Sequence, residues 1–313
     1  MAITVLPRPR PGLVDAHHHV GSPGRRPPSC PGEPARGAVG RPVAEDPSGT
    51  APRKVAGRRL EQTVAVQCVP SQPGTRELLA RAERDPLIGG VVGWVDLTSL
   101  AIRDILDTLR HGPGGSSLRA LRHVVQGEAD CDWLQRPVVE WGLRTVRDLG
   151  LGYDLLIHAH QLPQAIRLAE AVPGLPLVLD HAGGPGSTAG ERADWERHIR
   201  VLAGHAQVRC KMSGLVAGAD RARGDTAGAR RVWDVLLSTF GPERLMFASD
   251  WPACGRADGW SAWAATVEEV LDECSAPETR AVLAGTATEF YRLDGIGGSS
   301  TAGAPGPSVV PVR

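Results

Sequence analysis

The chain has 313 residues, 35 Lys+Arg against 35 Asp+Glu for a formal net charge of zero, and 42% hydrophobic residues. That length exceeds an ordinary domain of roughly 100–200 residues but suits one α/β barrel of about 250 residues with additions. Zero net charge leaves no electrostatic footprint for nucleic acid or an anionic membrane, which excludes a basic-groove binder and disfavours a nuclease.

The segment before Leu13 has no apolar stretch of signal-peptide length, and no run approaches the ~18 apolar residues of a membrane span. A soluble, unprocessed, cytoplasmic protein is expected. The first β-branched run, Leu13–His17, leads into Asp15-Ala16-His17-His18-His19. Alternate residues of a strand share a face, so His17 and His19 are expected to enter the barrel mouth together while His18 points away. Two imidazoles so placed are half a site for a divalent metal. A surface turn or a cloning remnant would produce the same triple. The following stretch, 21–52, is rich in Pro, Gly and Arg, including Arg25, Arg26 and Arg36, and has no apolar period. It reads as a long loop after the first strand, on the active-site face.

Seven more apolar runs follow at Thr63–Val69, Ile88–Val95, Ala120–Gln126, Tyr153–His158, Leu177–Asp180, Val208–Met212 and Arg244–Ser249. Amphipathic helices are predicted between them over Thr75–Arg84, Ala101–Arg110, Val138–Leu149, Leu162–Ala171, Ala193–Ala203, Ala229–Phe240 and Ala262–Glu273. Eight strands alternating with helices predict a single (β/α)8 TIM barrel over residues 1–293, and the Gly/Ser/Pro-rich tail 294–313 is expected to be disordered.

Polar residues close the later strands: Arg122-His123 on the fourth, His158-Ala159-His160 on the fifth, Asp180-His181 on the sixth, Lys211-Met212-Ser213 on the seventh and Ser249-Asp250 on the eighth. In a barrel all of these reach the C-terminal rim, where barrel enzymes place their chemistry. Ordinary explanations compete for some of them. His123 alternates outward from Arg122, His158 suits a core position bonded to a carbonyl, and Asp180 suits a loop cap. Trp94, Trp133 and Trp141 are expected to pack, and His111, His198 and His205 to lie at the surface. The six cysteines contain no C-x-x-C pair, so neither a zinc ribbon nor a disulfide framework is indicated.

The stretches LVDAHHHV, VVGWVDLT, LRHVVQGEADCDWL, YDLLIHAHQLP, LPLVLDHAGGP, VRCKMSGLV and FGPERLMFASDWP, in that order, resemble the amidohydrolase 2 branch of the amidohydrolase superfamily. The likeness is to its sugar-lactone hydrolases, the fuconolactonase group, and runs from about Leu13 to Leu293. It implies a (β/α)8 hydrolase that opens the ester of a small lactone with an activated water, a sugar aldonolactone before others. It implies Asp250 and His181 as catalytic residues, His17, His19, His160 and Asp250 around one divalent ion, zinc by preference, and Arg122 and Lys211 on the substrate. His158 competes with His160 for the fifth-strand position, and metal-free members exist. A nonoxidative decarboxylase or other lyase on this scaffold, or an inactive binding barrel, are the alternatives. The expected partner is a small molecule, with a homo-oligomer through an exposed barrel face also compatible. The sequence departs from the family in GSPGRRPPSC, where a Trp-containing wall is usual, in ASDWP for GSDWP, and in Thr286 where Asn is common, expected as a mild change near the site.

Overall fold

A computed structural model describes residues 12–20, 54–55, 57–186, 188–213, 227–251 and 259–293. The eight predicted strands all form: β1 Leu13–His18, β2 Arg58–Val66, β3 Ile88–Gly93, β4 Leu118–Val124, β5 Gly152–Leu156, β6 Leu177–Leu179, β7 Val208–Met212 and β8 Leu245–Phe247. They pair in parallel in chain order, with the two-residue ribbon Lys54–Val55 lying antiparallel on β2. The helices are α1 Gln72–Ala82, α2 Ile102–His111, α3 Pro137–Asp148, α4 Leu162–Ala171, α5 Ala189–Ala203, α6 Ala227–Phe240 and α7 Gly259–Leu271, followed by α8 Ala276–Arg280 and α9 Thr286–Tyr291. The expected loop 21–52, with Arg25, Arg26 and Arg36, and the tail 294–313 lie outside the described residues.

The helices start where the chain supplies oxygen acceptors for orphan N–H groups. Ser71 accepts from Gly74 at the head of α1, and Thr188 with Glu191 forms a reciprocal cap at the head of α5. Close packing has a glycine requirement at α3: a Cβ on Gly142 would stand 2.2 Å from the Leu97 carbonyl oxygen.

One apolar cluster lies between strands and helices, and a smaller one fills the barrel, with Val14, Ala16, Val64, Val178, Met246 and Ala248 among its members. Tyr291 and Leu293 join the inner cluster from behind α9, entering at the end of the barrel opposite the strand C-termini. Thr286 sits at this same end: its hydroxyl donates to the Glu243 carbonyl at 3.0 Å, ahead of β8. The departure from the family at Thr286 is therefore remote from the polar strand ends, contrary to expectation.

The barrel closes by a short seam between β1 and the segment after β8. His18 bridges Trp251, Asp250 N donates to His17 O at 2.8 Å, and His19 N donates to Trp251 O at 2.8 Å. Asp15 is the polar stitch in that seam: its Oδ1 accepts from Ser249 N at 2.8 Å, its Oδ2 from Ser249 Oγ at 2.6 Å. Burial outweighs these bonds and raises its carboxyl to about 7. The seam ties the two strands that carry His17, His19 and Asp250 directly to each other.

Candidate active site

The inward direction of His17 is not the result of simple alternation. Val14 and Ala16 belong to the inner cluster, and a strict period of two would carry His18 inward next. A register irregularity between Asp15 and His18 shifts the phase, as bulges beside functional sites do. His17 and His19 then face the interior together, with their Nε2 atoms 3.3 Å apart. His18 turns to the Thr63 hydroxyl at 2.9 Å, and burial lowers its pKa to about 3.

His19 has its tautomer set by its surroundings. Its Nδ1 lies 2.8 Å from the Val66 carbonyl, which can only accept, so Nδ1 carries a proton and Nε2 faces the mouth. Asp250 Oδ1 lies 3.5 Å from His19 Nε2 and 3.8 Å from His17 Nε2. Burial alone would raise the Asp250 carboxyl, but His181 and the bond from His19, with His17 beside them, hold it well below the usual carboxylate range. It stands as a carboxylate at neutral pH. His181 completes the mouth, with its ring centroid 4.8 Å from that of His17 and its Nδ1 2.7 Å from Ser213 Oγ.

Beneath this mouth lies a buried layer of charge. Lys211 Nζ reaches Asp154 Oδ2 at 2.5 Å, Asp180 Oδ1 at 2.9 Å and His17 Nδ1 at 3.2 Å. Arg122 Nη1 donates to Asp180 Oδ2 at 3.1 Å and stands 3.3 Å from His17 Nε2, while Nη2 donates to the Gln67 carbonyl at 2.5 Å. Tyr291 donates to Asp154 from below, at 3.1 Å. Burial pushes the Asp154 carboxyl up, with Lys211 opposing, whereas for Asp180 the cations Lys211 and Arg122, with His17, overcome burial and hold it low. Burial and the adjacent Lys211 keep His17 neutral.

Backbone strain marks the same place. Among the described residues the non-glycine positions at positive φ are His181 (51°), Ala182 (54°), Asp250 (57°) and Arg292 (49°), and three of the four are here. Indole donors from the outer helices hold the strained strand ends. Trp195 Nε1 donates to Ala182 O at 2.7 Å, and Trp263 Nε1 donates to Ala248 O at 2.8 Å and Met212 O at 3.1 Å.

The structure thus brings together His17, His19, His181 and Asp250, with Arg122 and Lys211 immediately beneath. Both cations are buried, and their donors are directed to protein acceptors. His160 is exposed on the turn after β5, where its ring stacks on His158 at 5.6 Å. Among the described residues the group able to hold a metal is His17, His181 and Asp250, with ligand atoms all within 4.8 Å of one another, and neither His158 nor His160 belongs to it. His123 faces outward as expected, stacked on Trp133 at 4.1 Å and bonded to Glu128 at 2.6 Å. Trp133 packs in the core, whereas Trp141 is exposed rather than packed. Asp180 is no loop cap, because its carboxylate joins Arg122, Lys211 and His17. Asp154 and Ser213 carried no assignment from sequence. For Ser213 a signal existed: it stands two residues after Lys211 and so shares its face.

The donor set fits a divalent ion. Ligands bound at the roughly 2.0–2.1 Å of zinc–nitrogen bonds stand about 3.3 Å apart in a tetrahedron. The triangle of His17 Nε2, His19 Nε2 and Asp250 Oδ1 has edges of 3.3, 3.5 and 3.8 Å. Neutral imidazoles and one carboxylate are the donors that suit zinc.

Ser213 has a direct test. Its hydroxyl orients His181, so Ser213→Ala is expected to lower kcat roughly tenfold with an unchanged thermal midpoint. Unchanged kcat would remove Ser213 from the machinery.

A family model described as Amidohydrolase matches residues 14–293. An L-fucono-1,5-lactonase of Burkholderia ambifaria is 34% identical over 239 residues, covering 75% of this chain and 81% of that relative. One of Burkholderia multivorans is 35% identical over 245 residues, with the same shares covered. Among solved structures, an amidohydrolase from Burkholderia multivorans with bound zinc superposes with a TM-score of 0.75 at 29% identity, covering 90% of this chain and 99% of that one.

Proposed function

The chain belongs to the amidohydrolase family, and from that premise we propose that it hydrolyses a small lactone, a sugar aldonolactone before others. The observation that carries this reading is the Asp250 carboxylate, ionised and set 3.5 Å from His19 and 3.8 Å from His17 at the strand C-termini. The two lactonase relatives support the substrate class.

Hydrolysis requires a base for water, a donor for the developing oxyanion, and a proton for the leaving alkoxide. Asp250 takes the proton from water as its oxygen adds to the lactone carbonyl. His181 supplies the oxyanion donor: Ser213 Oγ, 2.7 Å from Nδ1, fixes the ring so that its other nitrogen faces the carbonyl oxygen. The ring C–O bond then breaks, and the proton on Asp250 passes to the departing alkoxide. The product is a hydroxy acid, which releases its own proton to solvent.

His17 and Asp250, with His19 or His181 as the third donor, are the residues that would hold a divalent ion. When bound, that ion polarises the carbonyl or acidifies water. Arg122 and Lys211 act through the layer below. Lys211 and Arg122 keep Asp180 ionised, and Lys211 with burial keeps His17 neutral, so the layer fixes the floor on which the histidines stand.

Two experiments test this. A pH-indicator assay over aldono-1,4- and 1,5-lactones is expected to register acid release, and no turnover by folded protein on any of them would overturn the lactonase reading. Elemental analysis of protein purified without chelator is expected to give about one zinc equivalent per chain, as one four-ligand site requires. A metal-free sample with full activity would overturn the metal assignment alone.

A further inference from the structure

A basic cleft lies at the end of the barrel opposite the histidine cluster. Its volume is about 380 Å³, and its walls include Arg110, His111, Ser116, Arg119, Gly150 and Arg292. These residues end α2, precede or open β4, precede β5, or follow α9, so the cleft opens at the N-terminal ends of the strands. The groups assigned to the reaction stand at the other ends.

Two features, its composition and the backbone at Arg292, point to charge recognition in this cleft. The first is its composition: three arginines converge, and none of the described lining residues is acidic. Burial, with the positive charges of Arg119 and Arg110 beside it, pulls Arg292 below the ordinary arginine value.

The second feature is the backbone at Arg292. Helix α9 stops in a turn where Arg292 N donates to Glu289 O at 3.3 Å and Leu293 N to Thr288 O at 3.0 Å. The residue between those bonds adopts φ 49° and ψ 55°, a left-handed conformation that such turns normally give to glycine. This chain has 38 glycines yet places arginine there. The strained residue sends its guanidinium across to the Gly150 carbonyl, with Nη2 donating at 2.5 Å, along the cleft wall. Strain of this kind is retained where a side chain is needed, as it is at His181 and Asp250.

We propose that this cleft binds a small phosphate-bearing anion, independently of the lactone site. Guanidinium forks match pairs of phosphate oxygens, and three cations balance a phosphoryl dianion better than they balance one carboxylate. The volume of about 380 Å³ falls within the roughly 300–1,000 Å³ of small-molecule pockets.

Isothermal titration with inorganic pyrophosphate, at an ionic strength fixed by chloride, tests the assignment on the full chain. The wild type is expected to bind saturably, one anion per chain. Arg110→Ala and Arg292→Gly are each expected to weaken binding roughly tenfold or more while leaving lactone turnover unchanged. Glycine suits the left-handed turn, so a loss in Arg292→Gly reports the missing guanidinium and not a damaged fold. No saturable binding, or equal affinity in wild type and both variants, would overturn the site. Citrate binding tighter than pyrophosphate, with the same sensitivity to both variants, would overturn the phosphate assignment.

Discussion

Asp250→Asn is expected to lower kcat/KM for lactone hydrolysis by about a thousandfold, within the 10²–10⁴ typical of a positioned base. The amide keeps the shape of the carboxylate and has no base strength. Asp250 N donates to His17 O at 2.8 Å from the backbone, so the seam that positions the residue does not depend on its side chain. The carboxylate also lies beside the imidazoles of His17 and His19, at 3.8 and 3.5 Å. Its removal therefore costs the proton acceptor and, where an ion is bound, one ligand. The check is steady-state kinetics beside a thermal melt. A variant with the wild-type midpoint and more than a tenth of the wild-type rate would remove Asp250 from the base role.

Lys211→Met carries the largest expected effect on stability, a loss of about 3–5 kcal/mol, the usual cost of removing one partner from a buried ion pair. Lys211 has no exposed side-chain surface, and it lies 2.5 Å from Asp154 and 2.9 Å from Asp180. Methionine fills a similar volume without the charge, so what is lost is electrostatic. Two carboxylates would remain in the barrel with Arg122 as the adjacent guanidinium, and Arg122 donates to Asp180 alone of the two. A shift of the thermal midpoint on the order of 10 °C follows. The double variant Lys211→Met/Asp154→Asn is expected to recover part of the loss, because the second change removes the stranded charge. Additive losses in the double variant would show that the two residues do not act as a pair.

Much of the barrel was legible because its signals are local. All eight strands lie where β-branched runs stand, and α4 occupies Leu162–Ala171 as the apolar period indicates. The polar strand ends were legible for the same reason, since His17 lies at the end of its strand and His181 and Asp250 come within three residues after theirs. Face assignment at β1 came out right through a phase shift that simple alternation does not contain. What the residues alone withheld is pairing across the barrel. Asp180 meets Arg122 from 58 positions away, Lys211 meets His17 from 194, and Tyr291 meets Asp154 from 137. No local pattern encodes those distances, so Asp180 read as a loop cap and Asp154 as one residue of a strand. His160 shows the converse. The HAHQLP wording draws attention to it, but the turn after β5 leaves its side chain exposed.

The most direct test of a water-adding lactonase is turnover of an aldono-1,5-lactone in ¹⁸O-labelled water with mass analysis of the product. The account predicts one labelled oxygen in the carboxylate of the hydroxy acid and none in the released alcohol, formed at a rate that Asp250→Asn lowers about a thousandfold. Label in the alcohol oxygen, or an intact lactone after incubation with folded protein, would contradict it.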